Sequence, residues 1–383
     1  MKVLLIDPWG LKNTSEYLNG LIWGLSPLVE LTVFTNCRFE QYTNANSQLF
    51  KVFFPKSETM KSGLKRKLLR GVEYCQAYCQ IINFLRKNRN FDIIHINWLL
   101  DYDIDIYFLY ELRKYCKQLV YTAHNVIPHV NGQDSIHSLS KIYAKTDIIV
   151  VHGNQIKSEL VRIFPETSQK IYVQRHGCIL RQPQISQPII LPDDIRRKLD
   201  AYPRKLIFFG AIFPNKGVDR IAKCWLLDHK TENALLIIAG KTAADYPELT
   251  SLNMELAKTK NVLIINEYLE DSVLNLLISY SDAVLLPYCH ASMSGVIFTA
   301  AQFEKPVLCT DTGALPEYIE PGYDSVLCEN SEKGVSNGVK ELLSIEQERL
   351  AQMGRNLHKN IALKCDWNLI CGGLVRDVYS KMQ

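Results

Sequence analysis

A rhythm constrains this chain more than any other feature. Short, unbroken apolar runs alternate with stretches of helical spacing from one end to the other. In the first half the runs are "KVLLID", "LTVFT", "FDIIHIN", "QLVYTA", "DIIVV" and "KIYVQ"; in the second they are "KLIFFG", "ALLIIAG", "NVLII", "DAVLLP", "KPVLCT" and "SVLCE". An apolar run without alternation fits a strand covered on both faces, and such strands belong to parallel sheets whose crossovers are helices. The expected class is therefore α/β with right-handed connections.

The rhythm breaks once, at "RQPQISQPIILPDDIRRKLDAYP" (Arg181–Pro203), a stretch rich in proline and polar residues that reads as an interdomain connection. With 383 residues the chain is too long for one ordinary core. The expected domains are residues 1–182 and 183–364. The last stretch, 365–383, has helical apolar spacing at Trp367, Ile370, Val375 and Tyr379 and is expected to pack back on the first domain. In open parallel sheets ligands bind beyond the carboxyl ends of the strands, so two such sheets facing each other would place a cleft between the domains.

Composition excludes several classes. No apolar run approaches ~20 residues, so no membrane-spanning helix is expected. The five apolar residues that open "MKVLLIDPWG" are too few for a signal-peptide core and read as a first buried strand. The eleven cysteines are scattered; Cys75 and Cys79 share one helix face, but no CxxC occurs, so reduced thiols in a cytoplasmic protein are expected. A net charge of +4 does not call for nucleic acid.

No G-x-G-x-x-G follows a strand and no Walker motif occurs. "HNVIPH" offers His124 and His129, but Pro128 forbids a helical ligand pair, and no metal is expected. Three turns in the second half are better candidates. In "FFGAIFPNKGVD" a strand ends at Gly210 and a helix opens near Lys216 and Gly217. A lysine is unfavourable at a helix start unless it shares an anion with that end; otherwise it is a solvated side chain. In "HASMSGVIFTAAQF" Ser292, Ser294, Gly295 and Val296 lead into a helix whose first N–H groups have no internal partners. That arrangement suits a phosphate, or Ser292 or Ser294 is simply an N-cap. In "TDTGALPEYI" Thr312, Gly313 and Glu317 come to the same sheet edge, where the carboxylate would meet ribose hydroxyls or cap the next helix.

Taken in order, "FFGAIFPNKGVD", "LLIIAGK", "NVLIINEYLEDSVLNLLISYSDAVLLPY" and "SGVIFTAAQFEKPVLCTDTGALPEYI" resemble the second domain of the family-four nucleotide-sugar glycosyltransferases, which have the GT-B architecture. "DIIHINW", "YTAHNVIPH" and "IYVQRHGC" are similar to first-domain stretches of that family. The resemblance implies two facing Rossmann-like domains, an N-terminal acceptor domain and a C-terminal donor domain. It also implies transfer of a sugar from a nucleoside diphosphate with retention, and no metal or other cofactor. By the same resemblance Lys216 contacts the donor diphosphate, and the backbone at Ser294, Gly295 and Val296 cradles phosphate and sugar. The loop Asn266–Leu269, with Tyr268 and Leu269, holds the base, and His124 is catalytic or orients the donor sugar. Trp9, Gly10, Asn125, Arg175 and His176 fall to the acceptor side of the cleft. Two features depart from the family pattern. Ala291 and Thr299 stand where two glutamates are common, and the arginine often found just before "KG" is absent, with Phe213 and Asn215 nearby. Lys216 is then the main cation, unless Arg175 or Lys241 reaches the diphosphate.

"PKSETMKSGLKRKLLRG" gathers Lys56, Lys61, Lys65, Arg66, Lys67 and Arg70 just before an amphipathic helix. Such a cluster is either a solvated face or a contact with anionic lipid, which would make a lipid-linked glycan a natural acceptor and surface-polysaccharide assembly the setting. The expectation is a cytoplasmic protein, peripheral on the inner membrane face. A non-catalytic sugar-nucleotide-binding module and a sugar-nucleotide epimerase are the competing classes.

Overall fold

The apolar runs become strands because they have no polar side to show. Val3–Ile6 and the run Ile93, Ile94 and Ile96 are wholly buried, and so is every residue of the strand Ala234–Ala239. The structure is a computed structural model. It describes the chain apart from residues 12, 42–45, 128–134, 182–190, 228–230, 244–245 and 382–383.

The chain divides into two compact units, Met1–Ile179 with Cys365–Gln383, and Leu180–Lys364. The first is built on seven strands: β1 (Lys2–Asp7), β2 (Glu30–Asn36), β3 (Gln48–Phe53), β4 (Phe91–Ile96), β5 (Cys116–Thr122), β6 (Ile148–Val151) and β7 (Ile171–Val173). All pair in parallel in the order β3-β2-β1-β4-β5-β6-β7. The order reverses between β1 and β4, where Ile6 pairs with Ile96. At such a reversal the connecting loops diverge and leave a crevice.

Strand β3 was not among the expected runs. "QLFKVF" is interrupted by lysine, lies at the sheet edge, and buries only Phe53 fully.

Within this unit the C-terminal helix Trp367–Leu374, continued by a wider turn at Val375–Tyr379, packs on the helix Asn13–Leu25. Glycine makes the approach feasible: a Cβ on Gly20 would lie 2.0 Å from Trp367 Nε1, and one on Gly24 2.6 Å from the Trp367 carbonyl. Tyr17 meets the Trp367 ring edge-on at 5.1 Å.

The second unit carries β8 (Arg204–Phe209), β9 (Ala234–Ala239), β10 (Val262–Ile265), β11 (Ala283–Leu286), β12 (Val307–Thr310) and β13 (Ser325–Cys328). They are parallel, in the order β10-β9-β8-β11-β12-β13, with the reversal between β8 and β11. Part of the stretch expected to be a bare connection is a helix, Asp193–Ala201, which seals one side of the unit with Leu199.

Candidate functional site

In the second unit, the turns that follow β8, β11 and β12 are one hydrogen-bonded body. After β8 the chain makes a tight turn, Pro214–Lys216, and enters the helix Val218–Leu227 through Gly217. Gly217 is left-handed (φ 64°), and a Cβ there would lie 2.1 Å from the Pro287 carbonyl just beyond β11. The neighbouring Asn215 carbonyl accepts from Cys289 N (2.9 Å) and His290 N (3.3 Å), while its amide donates to the His290 carbonyl (3.2 Å). The turn after β12 closes on the other side. Gly313 (φ 56°) would place a Cβ 1.5 Å from the Ala291 carbonyl, and Ala314 N donates to the Ser292 carbonyl at 3.0 Å. Lys216, Ser292, Ser294, Gly295 and Val296 are thus gathered at the strand-order reversal, with the half-buried Glu317 in the turn Leu315–Tyr318 beside them.

Lys216 Nζ sits over the Tyr288 ring, 4.0 Å from its centroid. Burial pushes the ammonium down to about 8, and the ring face offers partial compensation. A cation held partly desolvated interacts more strongly with an incoming anion than a solvated one does.

The serine knot departs from expectation. Ser294 is buried, its hydroxyl 3.1 Å from the Tyr288 hydroxyl and accepting from Val296 N at 3.3 Å. Gly295 is the N-cap of the short helix Val296–Gln302, which has no side-chain cap, and the Ser294 hydroxyl turns inward to Tyr288. The open ground is Gly295, which is exposed and would have nothing within 4 Å of an added Cβ. Ala291 is buried, and the Thr299 hydroxyl donates to the Gly295 carbonyl at 3.5 Å.

Gly210 ends β8 with φ 107°, close against Gly240, whose Cβ would lie 1.8 Å from the Gly210 carbonyl. Tyr268 and Leu269 follow β10 at the sheet edge, with β9 between them and β8. Their loop is tied to the β9 loop, where Thr242 N donates to Asn266 Oδ1 at 2.8 Å, and Tyr268 is 79% exposed. Lys241 is exposed on that same loop. One cation escaped the sequence reading: Arg220 Nη1 donates to Asn330 Oδ1 at 2.6 Å, and Asn330 in turn donates to the Cys289 carbonyl at 2.9 Å.

The first unit presents a chain of side chains at its own reversal. Asp7 ends β1 and accepts from Trp9 N (3.0 Å) and Gly10 N (2.9 Å), an Asx-type turn that also explains the positive φ of Gly10 (42°). Asn97, just past β4, donates to Asp7 Oδ2 at 2.5 Å, and its Oδ1 lies 3.1 Å from His124 Nε2. His124, after β5, stacks on Trp98 (3.9 Å between centroids), and its Nδ1 meets His152 Nε2 at 3.0 Å. His152 Nδ1 donates to the Gln174 carbonyl at 3.1 Å. Burial raises Asp7 to about 6 and lowers His152 to about 4 and His176 to about 3; it holds His124 well below its ordinary range, with the neighbouring histidines adding to the effect.

Asp7, Asn97 and His152 were missed because their partners lie up to 90 positions away. The legible signal was positional, a polar residue closing each of three neighbouring apolar runs. Of the residues expected here, Trp9 is half-buried beneath Arg70 (5.0 Å), Asn125 and His176 are half-buried, and Arg175 is exposed. His129 lies outside the described residues. Among the described residues no group of three side chains is placed to hold a metal ion.

The basic cluster is divided. Arg66 and Arg70 both turn to Glu58 (3.4 and 2.9 Å), and Arg70 also covers the Phe54 ring at 3.7 Å. Both are thus engaged with side chains of their own unit. Lys61, Lys65 and Lys67 remain exposed beside Leu64, Leu68 and Val72, which are 74%, 65% and 53% exposed along the helix Leu64–Lys87.

With this geometry in view, residues 203–344 match the family described as Glycosyl transferases group 1. The chain carries a group 1 glycosyltransferase domain. A segment of 125 residues, 32% of the chain, is 29% identical to the GDP-mannose:glycolipid 4-beta-D-mannosyltransferase of Xanthomonas campestris pv. campestris. The match spans about a third (35%) of that relative's length. Among solved structures the chain resembles sucrose-phosphate synthase from Thermosynechococcus elongatus (TM-score 0.71, 14% identity, 99% of this chain and 100% of that one). It also resembles the catalytic domain of starch synthase IV from Arabidopsis thaliana, bound to ADP and acarbose (0.72, 10%, 100% and 99%). A third likeness is to Anabaena HepE in complex with UDP (0.69, 14%, 99% and 100%). At these identities the likeness is one of fold, and the fold of this glycosyltransferase-type chain is the α/β, two-sheet GT-B fold.

Proposed function

We propose that this protein is a hexosyltransferase. It moves a sugar from a nucleoside diphosphate to a glycan or lipid-linked glycan acceptor, with retention, in surface-polysaccharide assembly. The observation that carries the reading is the turn body at the reversal of the second sheet, inside the matched domain, with partly desolvated Lys216 beside the open backbone at Gly295. In the reaction the bond from the anomeric carbon to the diphosphate oxygen breaks as the acceptor oxygen bonds to that carbon. The acceptor's proton leaves with the phosphate oxygen. Lys216 and the backbone N–H at Gly295 offset the charge that develops on the leaving group, which is the task a fixed cation and fixed dipoles perform without a metal. His124 orients the donor sugar.

Thermal shift with UDP, GDP and their sugars tests this. A ligand at about 100 times its Kd stabilises by about 2.7 kcal/mol, and Lys216→Ala should cut this to roughly 0.4–1.4 kcal/mol. If no nucleotide moves the melting point, the donor-site reading fails. The buried Ala291 and hydroxyl-bearing Thr299 motivate a second reading, a sugar-nucleotide-binding module without turnover. Slow release of nucleoside diphosphate from wild type but not from Lys216→Ala separates the two.

The apolar stripe Leu64, Leu68 and Val72 with its flanking lysines supports a peripheral contact with anionic membrane, each lysine adding about 1 kcal/mol near such a surface. The Xanthomonas relative is by its name a glycolipid-acting enzyme, which agrees with a lipid-linked acceptor. Among the described residues no helix is long and apolar enough to cross a membrane. Sedimentation with anionic liposomes at low salt, lost in Leu68→Glu, is the expected result; equal sedimentation with neutral liposomes overturns it.

A further inference from the structure

The line Asp7–Asn97–His124–His152–Gln174 can be solved for its hydrogens. The carbonyl of Gln174 only accepts, so His152 Nδ1 carries a hydrogen. One more hydrogen lies between His152 Nε2 and His124 Nδ1. The contact of His124 Nε2 with Asn97 then has two solutions, because the two ends of an amide are assigned and not observed. With Asn97 Oδ1 toward His124, the ring must donate there. The two rings then share three hydrogens and one positive charge, and the amide donates to an ionised Asp7. With the amide turned by half a turn, both rings are neutral, and Asp7 must itself be protonated to donate to Asn97 Oδ1. Any third state sets two acceptors, or two donors, against each other in a buried place. Both permitted states have zero net charge.

We propose that Asp7 and the His124–His152 pair share a single proton, with the Asn97 amide turning to follow it, so that His124 becomes cationic only as Asp7 becomes anionic. The transfer breaks O–H at Asp7, forms N–H at the imidazole pair and changes no other bond. Asp7, Asn97 and His152 lie at 0%, 0% and 3% exposure, whereas His124 is half-buried, so the line has one outward end. Burial alone favours the neutral members, pushing Asp7 up and His124 down. An anion near His124 would draw the proton outward. Among the described residues the titratable groups facing the line include Tyr17 of the helix Asn13–Leu25, His95 on β4 with Tyr379 behind it, His176 after β7, and Arg70 over Trp9. Asp7 and Asn97 are on this account positioning residues that set the charge of His124. The functional consequence rests on the reading of His124 as a donor-facing group; the proton count does not.

The test is carried out on the full-length, ligand-free protein with 15N-labelled histidine and 13C-labelled aspartate carboxyls. Across the neutral pH range, NMR should show equal fractions of imidazolium on the pair and of ionised Asp7. Ionised Asp7 beside two neutral rings, or a cationic ring beside protonated Asp7, overturns the proposal. In Asp7→Asn both rings should stay neutral, each with its hydrogen on Nδ1, while the fold persists; rings that gain a proton there overturn it as well. The wild-type spectra decide the matter even if that variant fails to fold. Failure of the nucleotide thermal shift would remove the donor reading and leave this result standing.

Discussion

The two units place their candidate chemistry at the same topological position and build it from opposite materials. In the first unit, the reversal between β1 and β4 is lined with side chains that hydrogen-bond to one another: Asp7, Asn97, His124 and His152. In the second, the reversal between β8 and β11 is lined with backbone, shaped by Gly217, Gly295 and Gly313, and Lys216 brings charge to it. A backbone surface can accept a phosphate whatever sugar it bears, because N–H groups and a cation read charge and not shape. A buried side-chain network is specific but exacting, since losing one member leaves the others unsatisfied. The first unit should therefore be the one that responds to pH and to core changes, and the second the one that responds to ligand.

The largest effect expected is Trp367→Ala. The ring is 1% exposed and fills the space that Gly20 and Gly177 leave open, so truncation should cost about 3–5 kcal/mol. Hydrogen exchange read strand by strand checks it: protection should fall across β1–β7 and persist across β8–β13. A uniform loss in both sheets would break the distinction between the units.

Acid comes next. His95 and His176, which lie outside the shared-proton line, are depressed in the folded state to about 3, each from 6.5. The unfolded chain takes up protons below pH 6.5 that the folded unit refuses. The stability they contribute is present above that pH and is lost as pH falls toward 4, at about 1.4 kcal/mol per pH unit for each group kept neutral. Asp105, raised by burial from 3.8 to about 7, works against them over its own window, one group opposing two. Lys216 titrates elsewhere: lowered from 10.5 to about 8, it costs stability as pH falls from 10.5 to 8 and nothing further below. Exchange protection in β1–β7 should thus fall between pH 6.5 and 4. A flat response there would show that the histidines are not held neutral.

Among the described residues, twelve of the thirteen strands were legible because their apolar runs have no alternation, and the glycine-bearing turns were legible because a left-handed residue or a close approach leaves glycine in the sequence. What could not be read depends on distance. The lysine that interrupts "QLFKVF" hid β3, an edge strand tolerant of polar residues. The partners of Asp7 and His124 lie on other strands, so nothing local marks them as one line. The direction of the Ser294 hydroxyl could not be read from its polar neighbours in sequence, and only Tyr288, placed beneath it by β11, reveals that it points inward.

Of smaller size is Lys216→Ala. Removing a charged group that meets a bound diphosphate should weaken nucleotide binding by about 1.5–3 kcal/mol, roughly 10- to 100-fold, as measured by titration calorimetry. The melting point without ligand should hold or rise slightly, because a partly desolvated ammonium is removed. A loss of stability with unchanged affinity would mean that Lys216 serves Tyr288 and not a ligand.

The smallest effect on stability, and the sharpest comparison within the second unit, is Gly295→Ala set against Gly313→Ala. At Gly313 a Cβ would meet the Ala291 carbonyl at 1.5 Å, with φ at 56°, so the substitution should cost roughly 3 kcal/mol or more. At Gly295 the backbone is already helical (φ −62°, ψ −15°) and the space is open, so alanine should change stability by no more than ~0.5 kcal/mol. If the open ground receives a ligand, that methyl still obstructs it, and affinity for the nucleoside diphosphate should drop while the melting point stands still. If Gly295→Ala binds as wild type does, the glycine is there only because nothing fills the space, and the ligand approaches the sheet at another turn.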